Sequence, residues 1–126
     1  MRRWVFFLIW SLIGTGTANA HHSFAATYYE DKLVTIEGEL VEFQYRNPHS
    51  FVQVIVTDPQ GNMQRWSIEW GAVAQLNGQG VQRFTLKPGD KVTITGAPAR
   101  SGDGHQLLMR KLVRPSDGFT WAAQVN

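Results

Sequence analysis

Residues 33–45 read Leu-Val-Thr-Ile-Glu-Gly-Glu-Leu-Val-Glu-Phe-Gln-Tyr, and the phase of their apolar positions decides the fold. Val34, Ile36 and Leu40 occupy even positions, whereas Phe43 and Tyr45 occupy odd ones. Alternation of this kind marks a half-buried strand, because successive side chains point to opposite faces. The change of phase at Leu40-Val41, close to Gly38, predicts a bulge or sharp bend within the strand. A long first strand that bends midway can serve both halves of a small barrel.

The chain on the C-terminal side supplies the remaining strands. Asn47-Pro48-His49-Ser50 is a turn signal, and the β-branched run Phe51 to Thr57 after it reads as strand two. After a second turn, Asp58 to Asn62, strand three runs from Met63 to Trp70. It places Trp66, Ile68 and Trp70 on one face and Arg65, Ser67 and Glu69 on the other. Gly71 to Gln79 breaks that alternation and sets Ala72, Val73 and Leu76 at helical spacing before Asn77-Gly78, which predicts a short helix. Lys87-Pro88-Gly89-Asp90 turns into strand four, with Val92 and Ile94 inward, ending at Gly96 and Pro98. A hairpin loop from Arg100 to His105 leads to strand five, Gln106 to Val113, and Pro115 to Gly118 opens a short aromatic tail with Phe119 and Trp121. The order β-β-β-α-β-β across 33–126 predicts an all-β domain with one short helix, a five-stranded OB-fold-like barrel. An SH3-like barrel is the alternative, although its connection at the position of the helix is usually a short turn.

Ahead of the barrel, Arg2-Arg3, the apolar run Trp4 to Ile13 and the small-residue junction Ala18-Asn19-Ala20 form the three regions of an export signal. Spanning a bilayer takes roughly 20 apolar residues, and this run stops after about ten. Residues 1–20 are therefore expected to be a cleaved signal peptide, which implies a periplasmic or secreted protein without a stable membrane anchor. Residues 21–32 then form an extended lead-in whose Phe24, Tyr28 and Tyr29 lie on the domain. Losing Arg2 and Arg3 from 12 Lys+Arg, with all 10 Asp+Glu kept, brings the formal charge to zero. That balance removes the basic face that nucleic-acid binding requires. The chain has no cysteine, so disulfides, thiolate metal sites and thiol nucleophiles are all excluded.

Cleavage after Ala20 would make His21 the first residue. Its α-amino nitrogen and ring Nδ1 can close a six-membered chelate on one metal ion, and an α-amine titrates near ~7.7–8.0, so freeing it at neutral pH costs little. All four histidines fall outside the expected strands: His21 and His22 at that start, His49 between strands one and two, and His105 between strands four and five. The last two loops are expected at one barrel mouth, the usual ligand rim of an OB-fold. His21, His22, His49 and His105 are thus the candidate metal ligands. Ligation by imidazoles and an amine favours copper, with zinc or nickel next. The bland readings are a turn residue for His49, a solvated loop tip for His105 and a loose terminus for His21 and His22. For His21 to meet His49 the lead-in must double back; twelve residues reach roughly 40 Å at ~3.3 Å each.

Trp66 and Trp70 alternate with Ile68 and read as core rather than as an exposed stacking stripe, while Glu69 reads as a solvated strand residue or a supporting carboxylate. Ser23, Ser50 and Ser67 lack a nucleophile-elbow context, and no second carboxylate suggests hydrolytic acid–base work. The protein is therefore not expected to be an enzyme.

The start His21-His22-Ser23-Phe24, the Asn47-Pro48-His49 turn, Trp66-Ser67-Ile68-Glu69-Trp70 and Leu86-Lys87-Pro88-Gly89-Asp90 together resemble a family of small exported bacterial proteins known only as a domain of unknown function. The resemblance covers nearly all of the chain after residue 20. It implies export, a small β-barrel and a role for His21, His22 and His49, and it supplies no reaction. Two expectations follow: a metal-binding module, copper favoured, or a metal-independent module that takes a small ligand, a glycan or a periplasmic protein partner through the two rim loops.

Overall fold

The bend expected in the first strand is the hinge of the barrel. In the computed structural model, which describes residues 24–124, β1 (Val34–Gln44) pairs with two different strands. Its first half, from Val34 to Glu39, lies antiparallel to β4 (Lys91–Pro98). Its second half, from Glu39 to Gln44, lies antiparallel to β2 (Phe51–Thr57), and the register slips between Leu40 and Glu42. Gly38 sits at the crossover because a Cβ there would stand 2.7 Å from the Ile55 carbonyl oxygen. The signal segment, His21 and His22 lie outside the described residues.

From β2 the chain returns in register as β3 (Met63–Glu69), then forms α1 (Val73–Gly78), β4, β5 (Gln106–Arg114) and β6 (Phe119–Ala122). The sheet order is β3-β2-β1-β4-β5-β6, and a parallel pairing of Ser67–Glu69 with Gln106–Leu108 closes the first five strands into a mixed barrel. This is the expected all-β, OB-like architecture. Its interior is filled by Leu40, Val54, Ile68, Ile94, Leu107 and Leu112, all buried. Leu76 of α1 is fully buried in the same core, so the helix packs onto the barrel through it. Trp70 is buried and Trp66 packs against that core, as their alternation with Ile68 required.

Three local expectations change. The helix begins at Val73, one residue after the first of its helically spaced apolar residues, because Ala72 is still extended (ψ 159°) and the first helical N–H, that of Val73, donates to the Asn47 side chain at 3.0 Å. The aromatic tail is a sixth strand: it pairs antiparallel with β5, and Trp121 packs edge-on against Trp70 with ring centroids 5.1 Å apart. Four alternating residues after a Pro-Ser-Asp-Gly turn are enough for a hairpin when the inward ones are aromatic. The lead-in is not extended throughout, since residues 24–27 make a helical turn before Tyr28 bridges to Ala99.

β4 crosses β5 so closely that a Cβ at Gly96 would meet the Leu108 carbonyl oxygen at 2.5 Å, beside a register slip between Thr95 and Gly96. Backbone cannot move aside as a flexible side chain would. Gly96→Ala should lower stability by about 1–3 kcal/mol in urea unfolding, the usual cost of overpacking. Gly78→Ala, with nothing within 4 Å of the added methyl, should be neutral or stabilising by up to ~1 kcal/mol.

Candidate functional site

The turn between β1 and β2 carries His49 and is fastened at several points. Asn47 holds the start of α1, and the Asn47-Pro48 peptide is cis. Ser50 is fully buried, with its hydroxyl 3.2 Å from both the N–H and the carbonyl of Arg46. Its backbone N–H donates to the Gly71 carbonyl at 2.9 Å, and its own carbonyl accepts the Trp70 N–H at 2.8 Å. These bonds extend the β2–β3 pairing past Phe51 and Glu69 and set His49 beside the end of β3.

There the His49 Nδ1 stands 2.6 Å from Glu69 Oε1. The other oxygen, Glu69 Oε2, accepts a hydrogen bond from the Tyr28 hydroxyl. Glu69 lies on a strand flanked on both sides, by Phe51 of β2 and Leu108 of β5, and its side chain is only 12% exposed. A nearly buried carboxylate requires donors, and here the lead-in supplies one and the β1–β2 turn the other. The Tyr28 ring is buried against Ala97 and Leu108, with Phe24 packed beside them. Burial first, then the hydrogen bond to Glu69 and that residue's charge, push the Tyr28 phenol well above its ordinary range.

Backbone bonds hold the lead-in in place. Tyr29 N–H donates to the Pro98 carbonyl at 2.9 Å, Arg100 N–H to Thr27 at 2.8 Å, and the Arg100 Nε to the Ala25 carbonyl at 2.8 Å. The lead-in therefore continues antiparallel along the end of β4, in the same sense as β1, and does not double back. It brings the Phe24 ring to 5.7 Å from the His49 ring, centroid to centroid.

His105 is elsewhere. Its Nδ1 lies 3.5 Å from Asp103 Oδ2, its ring meets Trp66 edge-on at 5.0 Å, and its carbonyl accepts the Ser67 N–H at 3.0 Å. The backbone N–H of His105, donating to Asp103, holds that carboxyl below its usual range. Strand direction explains the separation. β2 runs antiparallel to β3, so the chain before Phe51 continues toward Trp70 and Gly71; β5 runs parallel to β3, so the chain before Gln106 continues toward Trp66. The two loops leave the same stretch of β3 in opposite directions, and the expectation that His49 and His105 share one mouth is corrected.

Among the described residues, no group of three or more His, Asp or Glu stands ready to hold a metal; His49 with Glu69 and His105 with Asp103 form two separate pairs. An open groove of about 760 Å³ lies apart from them, lined by Glu37, Glu39, Val41, Ile55, Met63 and Lys91 among others. The sequence reading missed Tyr28 and undervalued Glu69. The hairpin register was the available signal: counting back from the Asp58–Asn62 turn pairs Phe51 with Glu69 and puts His49 beside it.

The chain belongs to a family of unknown function (DUF6152), whose model matches residues 11–109, a span that includes Tyr28, His49, Glu69 and all the candidate histidines. No curated protein matches the sequence.

Tyr28→Phe removes a donor from a nearly buried carboxylate and should cost about 1.5–3 kcal/mol at pH 7, read from urea unfolding. The wild-type phenol is raised in the folded state, so its contribution is complete below an unfolded-state value of ~10 and fades as pH rises beyond that. The stability gap between wild type and Tyr28→Phe should accordingly narrow above about pH 10 and stay constant from pH 6 to 9.

Proposed function

We propose that this protein is an exported, non-enzymatic binding module that holds a transition metal, with copper favoured, between its N-terminal histidines and His49. The observation that carries this reading is the contact of the lead-in with the β1–β2 turn, where Phe24 lies against His49. His21 is three residues before Phe24, so covalent geometry keeps it within about 10 Å of that Cα. With residues 1–20 removed, the His21 amine and Nδ1 form a chelate and the His49 ring supplies a further nitrogen.

The state of His49 suits that role. A carboxylate only accepts hydrogen bonds, so the Nδ1 facing Glu69 bears the proton and the lone pair is left on Nε2. A ligating histidine whose other nitrogen donates to a carboxylate is the usual arrangement at metal sites, where the partner orients the ring and raises its basicity. The His49 side chain is 43% exposed, which leaves Nε2 a path to solvent and metal. All-nitrogen donors place Cu(II) ahead of Zn(II) and Ni(II). His22 is close enough in sequence to join the set, whereas His105, held by Asp103 and Trp66, stands outside it. The metal-independent reading, a ligand rim formed by both loops, draws no support from loops that diverge.

Cu(II) affinity, measured by competition with a chromogenic chelator, should fall by about tenfold or more when one alanine precedes His21, because the terminal chelate is lost. His49→Ala should lower it by a similar or larger factor. Equal affinity for the extended and unextended chains would overturn the terminal chelate, and equal affinity for His49→Ala would remove His49 from the site.

A further inference from the structure

Glu69 ties together two segments that are distant in sequence, and it does so with separate oxygens: Oε1 faces His49 and Oε2 takes the Tyr28 hydroxyl. We propose that Glu69 is the positioning residue of this site. Through Oε1 it fixes His49 as the Nδ1–H tautomer, leaving the Nε2 lone pair for a metal, and through Oε2 it docks the lead-in, by way of Tyr28, beside the β1–β2 turn. The proposal rests on the metal-binding reading for its purpose, but both of its parts are properties of the metal-free chain.

The two contacts compete little with water, since the Glu69 side chain is mostly covered and Tyr28 is buried over it. Other ties of the lead-in run to β4, β5 and the residues after β4: backbone bonds to Pro98 and Arg100, the Arg100 side chain on the Ala25 carbonyl and the Tyr29 ring, the Arg110–Glu30 ion pair, and apolar contacts of Phe24 and Tyr28 with Ala97, Leu108 and Ala99. None of those reaches the β1–β2 turn. Two links join the described lead-in to that turn: the ring contact of Phe24 with His49 and the shared carboxylate. The carboxylate is the directional one, because hydrogen bonds fix angle as well as distance whereas a ring contact tolerates rotation. Glu69 itself cannot drift, being on a strand paired on both edges. A single rigid anchor therefore sets both the tautomer of His49 and the docking of Tyr28 beside it.

Nuclear magnetic resonance of the metal-free chain starting at His21 tests both parts. Ring 15N shifts should show His49 protonated at Nδ1 in the wild type and lose that preference in Glu69→Ala. Amide exchange at Tyr28 and Tyr29 should quicken about tenfold or more in Glu69→Ala and in Tyr28→Phe. Exchange at Val54, in the middle of β2, serves as the control that the barrel remains folded. An Nε2–H tautomer in the wild type, or an unchanged tautomer in folded Glu69→Ala, overturns the first part; unchanged exchange at Tyr28 and Tyr29 overturns the second. Cu(II) affinity is then measured on the same variants, and Glu69→Ala should bind about 10–100-fold more weakly. Weak copper binding by the wild type alongside the expected tautomer and exchange would remove the metal reading and leave the positioning role supported.

Discussion

A carboxylate that is nearly out of water must be surrounded by donors, and the arrangement around Glu69 follows from that requirement. The group sits at the end of β3, where that strand has neighbours on both sides and little solvent. One donor comes from the lead-in and the other from the β1–β2 turn. Each of those segments is then fastened by bonds of its own, Tyr29 and Arg100 on one side and Asn47 and Ser50 on the other. A surface strand residue thus becomes the point where three parts of the chain meet.

The barrel makes this junction possible because β1 bends. With its first half on β4 and its second half on β2, the sheet curls until β5 can pair in parallel with the end of β3. Close backbone contact at Gly38 and Gly96 is the local cost of that curl, and a side chain at either place would push the strands apart. The mixed direction of the strands then distributes the loops. An antiparallel neighbour and a parallel neighbour send their preceding residues opposite ways along β3, so His49 and His105 acquire different partners.

Much of the architecture was legible in the sequence, because it depends on short-range signals. The phase change around Gly38 announced the bend, the alternation of Trp66, Ile68 and Trp70 announced a buried face, and Asn77-Gly78 announced the end of α1. The site was less legible because it depends on long-range pairing. Glu69 and Tyr28 are 41 positions apart, and strand alternation assigns Glu69 to the outward face without saying what covers it. His49 was identified by residue type and by its place in the loop after strand one; its relation to Glu69 follows from hairpin register. The sixth strand went unrecognised for a related reason, since four residues carry too short a pattern to distinguish a strand from a tail.

That sixth strand also bears on self-association. An open sheet margin is a template on which another copy can add, and proteins limit the hazard by keeping such margins short. Here β6 lies along Lys111–Arg114, the part of β5 beyond its pairing with β3, and leaves a margin of only four residues after a Pro-Ser-Asp-Gly turn. Trp121 anchors it inward on Trp70 and, through its indole N–H, on Gln79 at 2.9 Å, so the short strand is held in place by the core as well as by its hydrogen-bond ladder. A few C-terminal residues therefore act as a guard rail against strand-by-strand polymerisation, a protection that the five-stranded barrel alone would lack along the outer half of β5.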